Sequence, residues 1–160
     1  DREGRARFYS GKKKRHTIKS QVVVERSDGL IIDVSSGWEG RRHDLKVFEA
    51  SGVRERLGGV EVVAWLDKGY AGIEALVDGW QVLRPTKKAR GKGLSVAQRE
   101  QNRAIGRVRV LVEHKILAMK RYLAFGGLYR GRGKGYGQMV SLIAGLVNLE
   151  VLVRGGRLKG

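Results

Sequence analysis

Two acids in this chain stand where chemistry is often done. Val60-Glu61-Val62-Val63-Ala64-Trp65-Leu66 is an apolar, β-branched run that ends at Asp67 and continues as Lys68-Gly69-Tyr70. A buried strand that stops at an Asp and turns on a Gly holds the carboxylate at a sheet edge, a frequent place for metal and phosphate chemistry. About 45 residues further on, Arg109-Val110-Leu111-Val112-Glu113 sets a second acid inside a strongly helical pattern. With Glu113 as zero and about 100° per residue, Arg109 falls at about −40°, Asn102 and Lys120 at about −20°, and Gly106 at about +20°. The apolar set Ile105, Val112, Ile116, Met119 and Leu123 centres near about −90°. Glu113 therefore borders the buried face, flanked along the axis by the cations Arg109 and Lys120. The bland alternative is an i,i+4 ion pair between Arg109 and Glu113 on a solvated face.

The surrounding charge gives these acids their interest. Lys and Arg total 33 against 16 Asp and Glu, a net charge of +17 spread along 160 residues. Such a balance points to a polyanionic partner, most simply nucleic acid; the alternative is a solvated basic surface. A hydrophobic fraction of 41% supports a folded domain with a core. The absence of cysteine excludes disulfides and Cys-ligated zinc, and His16, His43 and His114 are too dispersed for a zinc motif. The Gly126 to Gly137 stretch lacks the Lys-Ser/Thr of a nucleotide-binding loop. No apolar run is read as long enough for a membrane span of about 18 residues. The first residues, lacking both Met and an apolar segment, are no signal peptide, and the chain is read as a piece of something longer.

The elements that must position the acids follow from periodicity. Residues 1–16 form a basic segment ending in Lys12-Lys13-Lys14-Arg15-His16. Thr17 to Glu25 alternates like a strand, Ser27-Asp28-Gly29 signals a hairpin turn, and Leu30 to Val34 is the returning strand, with a loop over 35–42. A helix is predicted over 43–57 with an interruption at Gly52, a central buried strand over 60–66 containing a core Trp65, a short helix over 72–78, and a strand over 80–83. Residues 84–94 form a basic loop with Lys87, Lys88, Arg90 and Lys92. Ser95 caps a long helix running to about 123. A basic loop with Arg130, Arg132 and Lys134 precedes an apolar closing helix over 137–153. The order predicts one mixed α/β domain with helices packed on a sheet.

The blocks Tyr9-Ser10-Gly11-Lys12-Lys13-Lys14-Arg15-His16-Thr17-Ile18-Lys19, Arg42-His43-Asp44-Leu45-Lys46-Val47-Phe48, Asp67-Lys68-Gly69-Tyr70-Ala71-Gly72, and Asn102-Arg103 through Glu113-His114 occur in one order. Together with Leu142 to Leu149 they resemble the catalytic domain of bacterial insertion-sequence transposases of the aspartate-aspartate-glutamate class, over nearly the whole chain. The resemblance implies a ribonuclease-H-like mixed sheet with helices on its faces. It implies Asp67 and Glu113 as catalytic residues and ligands of two Mg²⁺ or Mn²⁺ ions, and DNA cleavage and strand transfer at element ends. It also implies a family pattern of Tyr, Arg, Glu and Lys on the long helix. Arg109, Glu113 and Lys120 fit that pattern, whereas Gly106 stands at the Tyr position. The family's first catalytic Asp ends a strand upstream of Tyr9; Asp1 has no apolar strand before it and is not accepted in that role. Asp44 matches a family position but opens a helix, where an N-cap role is the expectation.

On this reading Lys12, Lys13, Lys14, Arg15, His16, Lys19, Lys68, Arg109 and Lys120 contact DNA, with phosphate contacts setting position and salt dependence. The expected setting is a homo-oligomer on DNA in the bacterial cytoplasm, at the nucleoid and not in a membrane. Lacking the first Asp, the fragment is expected to be inactive. The alternatives are a nucleic-acid-binding remnant that cuts nothing and a basic RNA-associated protein.

Overall fold

The structure, a computed structural model, describes residues 8–10, 14–127 and 135–157, with backbone alone at Ser10 and Arg15. Asp1, Lys12, Lys13, Arg130, Arg132 and Lys134 lie outside the described residues. The chain divides into two compact units, Asp1–Arg42 with Val112–Gly160, and His43–Leu111. It is mixed α/β, as its periodicities predict.

In the first unit, β1 (Tyr9–Ser10) pairs antiparallel with β2 (Arg15–His16), so part of the segment read only as basic is a two-stranded sheet. The alternating run forms β3 (Ile18–Val24), antiparallel to β4 (Ile31–Glu39). Their turn is closed by the Glu25 carboxylate, which accepts from the backbone N–H groups of Ser27 and Asp28 at 2.8 Å each. Those bonds favour the ionised form and hold the Glu25 pKa below the usual carboxylate range. The returning strand does not stop at Val34. It continues through residues read as a loop, because Ser35 pairs with Gln21, Trp38 with Lys19 and Glu39 with Ile18. The polar Ser35-Ser36-Gly37 hid this extension; Trp38 is braced there by Ser35 Oγ at 3.3 Å and by the Arg42 guanidinium 4.8 Å from its ring centre.

The apolar C-terminal pattern forms α5 (Tyr136–Arg154), which lays Tyr136, Val140, Ile143, Ala144 and Val147 into a core with Ile31 and Met119. Asn148 reaches back to β4, where its amide accepts from the Ile31 N–H and donates to the Ile31 carbonyl, both at 2.8 Å. With 19 residues and a mean hydropathy of 1.5, α5 is the one helix among the described residues long and apolar enough to cross a membrane. The reading that no apolar run reaches that length is corrected accordingly. One face of α5 is nevertheless core.

In the second unit, α1 (Asp44–Ser51) and α2 (Val53–Arg56) are separated by Gly52 at φ 70°, a left-handed conformation that favours glycine. The cap of α1 is His43, whose Nδ1 accepts from Leu45 N–H at 3.4 Å; Asp44 is the first helical residue, which corrects its expected N-cap role. The run read as a central buried strand forms only β5 (Val63–Trp65), parallel to β6 (Gln81–Leu83). Val60 is 61% exposed and Trp65 is half-buried. Among the described residues β5 has one partner strand, β6. Two 3-10 turns follow, Lys68–Tyr70 and Ile73–Ala75, where a short helix over 72–78 was predicted.

The long helix, α3 (Val96–Lys120), begins at Ser95. Ser95 Oγ accepts from Gln98 N–H at 3.1 Å and Gln98 Oε1 from Ser95 N–H at 2.9 Å, a reciprocal capping box. Helix α3 contributes to both units and is followed by a single turn, α4 (Leu123–Gly126).

Candidate active site

Asp67 is placed by the strand that precedes it. Leu66 N–H donates to the Leu83 carbonyl at 2.9 Å, which carries the β5–β6 pairing to the last residue before the acid. The chain then tightens, with Asp67 capping the first 3-10 turn: Oδ1 accepts from Lys68 N–H at 2.5 Å and the Asp67 carbonyl from Tyr70 N–H at 3.1 Å. The other carboxylate oxygen, Oδ2, accepts from Arg109 Nη2 at 3.1 Å. Arg109 thus reaches an acid 42 residues away in sequence, a partner the i,i+4 reading did not foresee. With Asp67 53% exposed and Arg109 29%, solvent screens the pair, and its worth lies in orientation more than in stability.

One helical repeat earlier on the same face of α3, Asn102 accepts from Thr86 N–H at 2.8 Å and donates to the Thr86 carbonyl at 3.1 Å. Asn102 and Arg109, seven residues apart, both fall in the stripe read from the sequence. They tie the helix to the segment after β6 and to the turn after β5. Arg84 likewise holds Glu74 at 2.5 Å, and this bond keeps the Glu74 pKa low.

Asp44 joins the same locality. Its carboxylate lies so close over Gly69 that a Cβ there would collide with Oδ2, which explains glycine in the Asp67-Lys68-Gly69-Tyr70 turn. Burial first, then the negative charges of Asp44 and Asp67, push the Tyr70 phenol well above its ordinary pKa, so it stays protonated. Sequence reasoning missed the roles of Asp44, Tyr70 and the Asn102 clamp. The signal available was the seven-residue spacing of Asn102 and Arg109.

Glu113 is exposed on α3, one turn beyond Arg109, and belongs to the other unit. Of the expected DNA contacts, Lys14, His16, Lys68 and Lys120 are exposed. Lys14 has φ 52° in the turn before β2, and His16 packs edge-on against Tyr9 with ring centres 5.7 Å apart. The Lys19 ammonium donates to the Arg42 carbonyl, a structural bond at a position read as a DNA contact. Carboxylate oxygens such as those of Asp67 are the hard donors that Mg²⁺ prefers. The described residues nevertheless gather no group of three or more His, Cys, Asp or Glu side chains able to hold a metal ion.

A family profile described as DDE superfamily endonuclease matches residues 1–148. The chain belongs to this family. It is 36% identical over 155 residues to a probable transposase for insertion sequence element IS702 of Microchaete diplosiphon, covering 96% of this chain and 53% of that protein. It is 31% identical over 107 residues to a putative transposase for insertion sequence element IS112 of Streptomyces albus G, covering 66% of this chain and 38% of that protein. The chain therefore spans about half or less of the length of these relatives. No solved structure matches it. Endonucleases of the superfamily are generally dependent on divalent metal ions.

Proposed function

We propose that the chain is the nuclease portion of an insertion-sequence transposase, with a ribonuclease-H-like arrangement and Asp67 and Glu113 as two of its catalytic carboxylates. The observation that carries this reading is the setting of Asp67 at the end of β5. There its carboxylate is held by Lys68 N–H and Arg109 while half of it faces solvent. Membership of the DDE endonuclease family supports the reading.

Asp67 and Glu113 would hold a divalent cation, Mg²⁺ or Mn²⁺, which when bound supplies an activated oxygen nucleophile and neutralises the leaving oxygen. The chain's own residues do the positioning. Arg109 orients Asp67, Gly69 lets the turn close beneath Asp44, and the protonated Tyr70 adds no charge beside Asp44 and Asp67. Lys12, Lys13, Lys14, Arg15, His16, Lys68 and Lys120 would draw in and seat the DNA backbone. An intact site would take two ions and a third carboxylate, and the working form would be a homo-oligomer on DNA. Residues 1–160 are one catalytic domain on this reading, and alone they do not cleave.

Electron paramagnetic titration of the 160-residue chain with Mn²⁺ tests the assignment. Weak binding is expected, lowered at least about tenfold by either Asp67→Asn or Glu113→Gln. Unchanged affinity in both variants removes the two acids from the metal site. Nicking of labelled element-end DNA by the chain alone, abolished by Asp67→Asn, would overturn the expected inactivity. The second reading is a nucleic-acid binder that cuts nothing, and the observation behind it is the net charge of +17.

A further inference from the structure

The solvent face of α3 carries a ladder of cations that no part of the proposed catalytic reading uses. With Arg103 as zero and about 100° per residue, Arg99 lies at about −40°, Arg107 at about +40°, Val110 at about −20° and Val96 at about +20°. The buried Ile105 lies at about −160° and Arg109 at about −120°. The ladder therefore points away from the core and away from the Asp67 side of the helix. All three arginines are exposed, and none of their guanidinium groups has a hydrogen bond or ion pair with a described residue. The nearest acid on the wheel, Glu100, stands at the edge of the stripe at about +60°.

This arrangement is unfavourable for the helix itself. Arg99–Arg103 and Arg103–Arg107 are like-charge i,i+4 pairs, which destabilise a helix, and Arg99 adds positive charge near the positive end of the helix dipole. The first turn has no acidic residue to offset it. An ordinary solvated face mixes both signs. What offsets a single-sign ladder is a polyanion laid along it. No Phe, Trp or Tyr occurs in Val96–Lys120, so the face offers nothing on which an unpaired base could stack. At about 1.5 Å per residue the three arginines span about 12 Å, room for about three phosphates of one strand at about 3.4 Å each.

We propose that Arg99, Arg103 and Arg107 form a phosphate-backbone docking surface for duplex DNA, separate from the Asp67 side of the helix. The proposal rests on the nucleic-acid part of the reading above and not on catalysis. The test is fluorescence anisotropy of the 160-residue chain with a labelled random-sequence duplex over a range of salt concentrations. The triple variant R99Q/R103Q/R107Q is compared with K46Q/R54Q/R56Q, which removes the same charge elsewhere in the same unit. The ladder variant is expected to flatten the slope of log affinity against log salt by about 2.7, and the control by less than about 1. Its melting temperature is expected to equal or exceed the parent's, since removing like-charge pairs relieves the helix.

Equal slopes for the two variants mean net charge alone acts and overturn the docking surface, while the nucleic-acid reading stands. A parent that binds no duplex overturns both. A loss confined to single-stranded RNA, or to vesicles containing phosphatidylserine, with duplex binding intact, overturns the assignment to duplex DNA. A lower melting temperature assigns the arginines to the fold instead.

Discussion

The two units are held by different means. In the first, a long hairpin and α5 bury a continuous apolar cluster, with Met119 and Val140 at 0% exposure, between elements more than a hundred residues apart in sequence. In the second, short strands, a broken helix and two 3-10 turns bury Val47, Val53 and Ile73. There the turn after β5 and the segment after β6 are fastened by polar clamps: Asn102 on Thr86, Arg84 on Glu74 and Arg109 on Asp67. Apolar burial fixes a fold cheaply but leaves no donors aimed at solvent. Polar clamps contribute little stability where water screens them, yet they set the direction of a carboxylate. The candidate site lies where the chain accepts that weaker fastening.

If this contrast is right, truncating the apolar cluster should have the largest effect on stability. Met119→Ala is expected to cost about 3 kcal/mol in urea unfolding, the usual scale for a fully buried side chain. A cost below about 1 kcal/mol would mean that the cluster collapses around the gap and is not tightly packed.

Asn148→Leu sharpens the comparison from inside the first unit, because there one polar residue is built into an apolar core. Replacing the amide strands both the N–H and the carbonyl of buried Ile31. The expected loss is about 2 kcal/mol, larger than a screened surface pair gives. Asn148→Asp should not rescue it, since a carboxylate cannot donate to the Ile31 carbonyl.

Much of this was legible in the sequence, and the failures share a cause. The alternation over 18–24, the Ser95 cap and the apolar pattern of α5 are local signals, and each appears as an element with nearly the expected bounds. The second half of β4 was not legible, because Ser35-Ser36-Gly37 has no strand character of its own and is recruited by pairing with β3. The run over 60–66 misled in the opposite sense. Its apolar composition suits a buried strand, but among the described residues it has one partner on one side. At the site, the types and order of Asp67 and Glu113 were readable. That Arg109 serves Asp67, and that Asp44 closes over Gly69, depends on turns no periodicity encodes.

Arg109→Gln tests the second unit's side of the contrast. The pair it removes is screened, so the expected stability loss is under about 1 kcal/mol. Mn²⁺ affinity should fall by about tenfold, as for other residues that orient a ligand without touching the metal. Large destabilisation with unchanged Mn²⁺ binding would make the ion pair a structural clamp and erase the distinction drawn between the units.

The narrowest effect is expected from Tyr70→Phe, confined to high pH. In the unfolded chain a tyrosine ionises near about pH 10. Burial, Asp44 and Asp67 hold the folded Tyr70 above that value. Below about pH 10 both states keep the proton and the residue adds no pH dependence. Above it the unfolded state releases the proton while the folded state retains it, so stability falls as pH rises. The parent should therefore lose about 1.4 kcal/mol more than the Phe variant between about pH 9 and pH 11 in urea unfolding. Taking this difference between parent and variant cancels the other tyrosines and the lysines that titrate in the same range. Parallel curves would mean that the phenol is open to solvent, and that Asp44 and Asp67 do not flank it as the second unit's polar fastening requires.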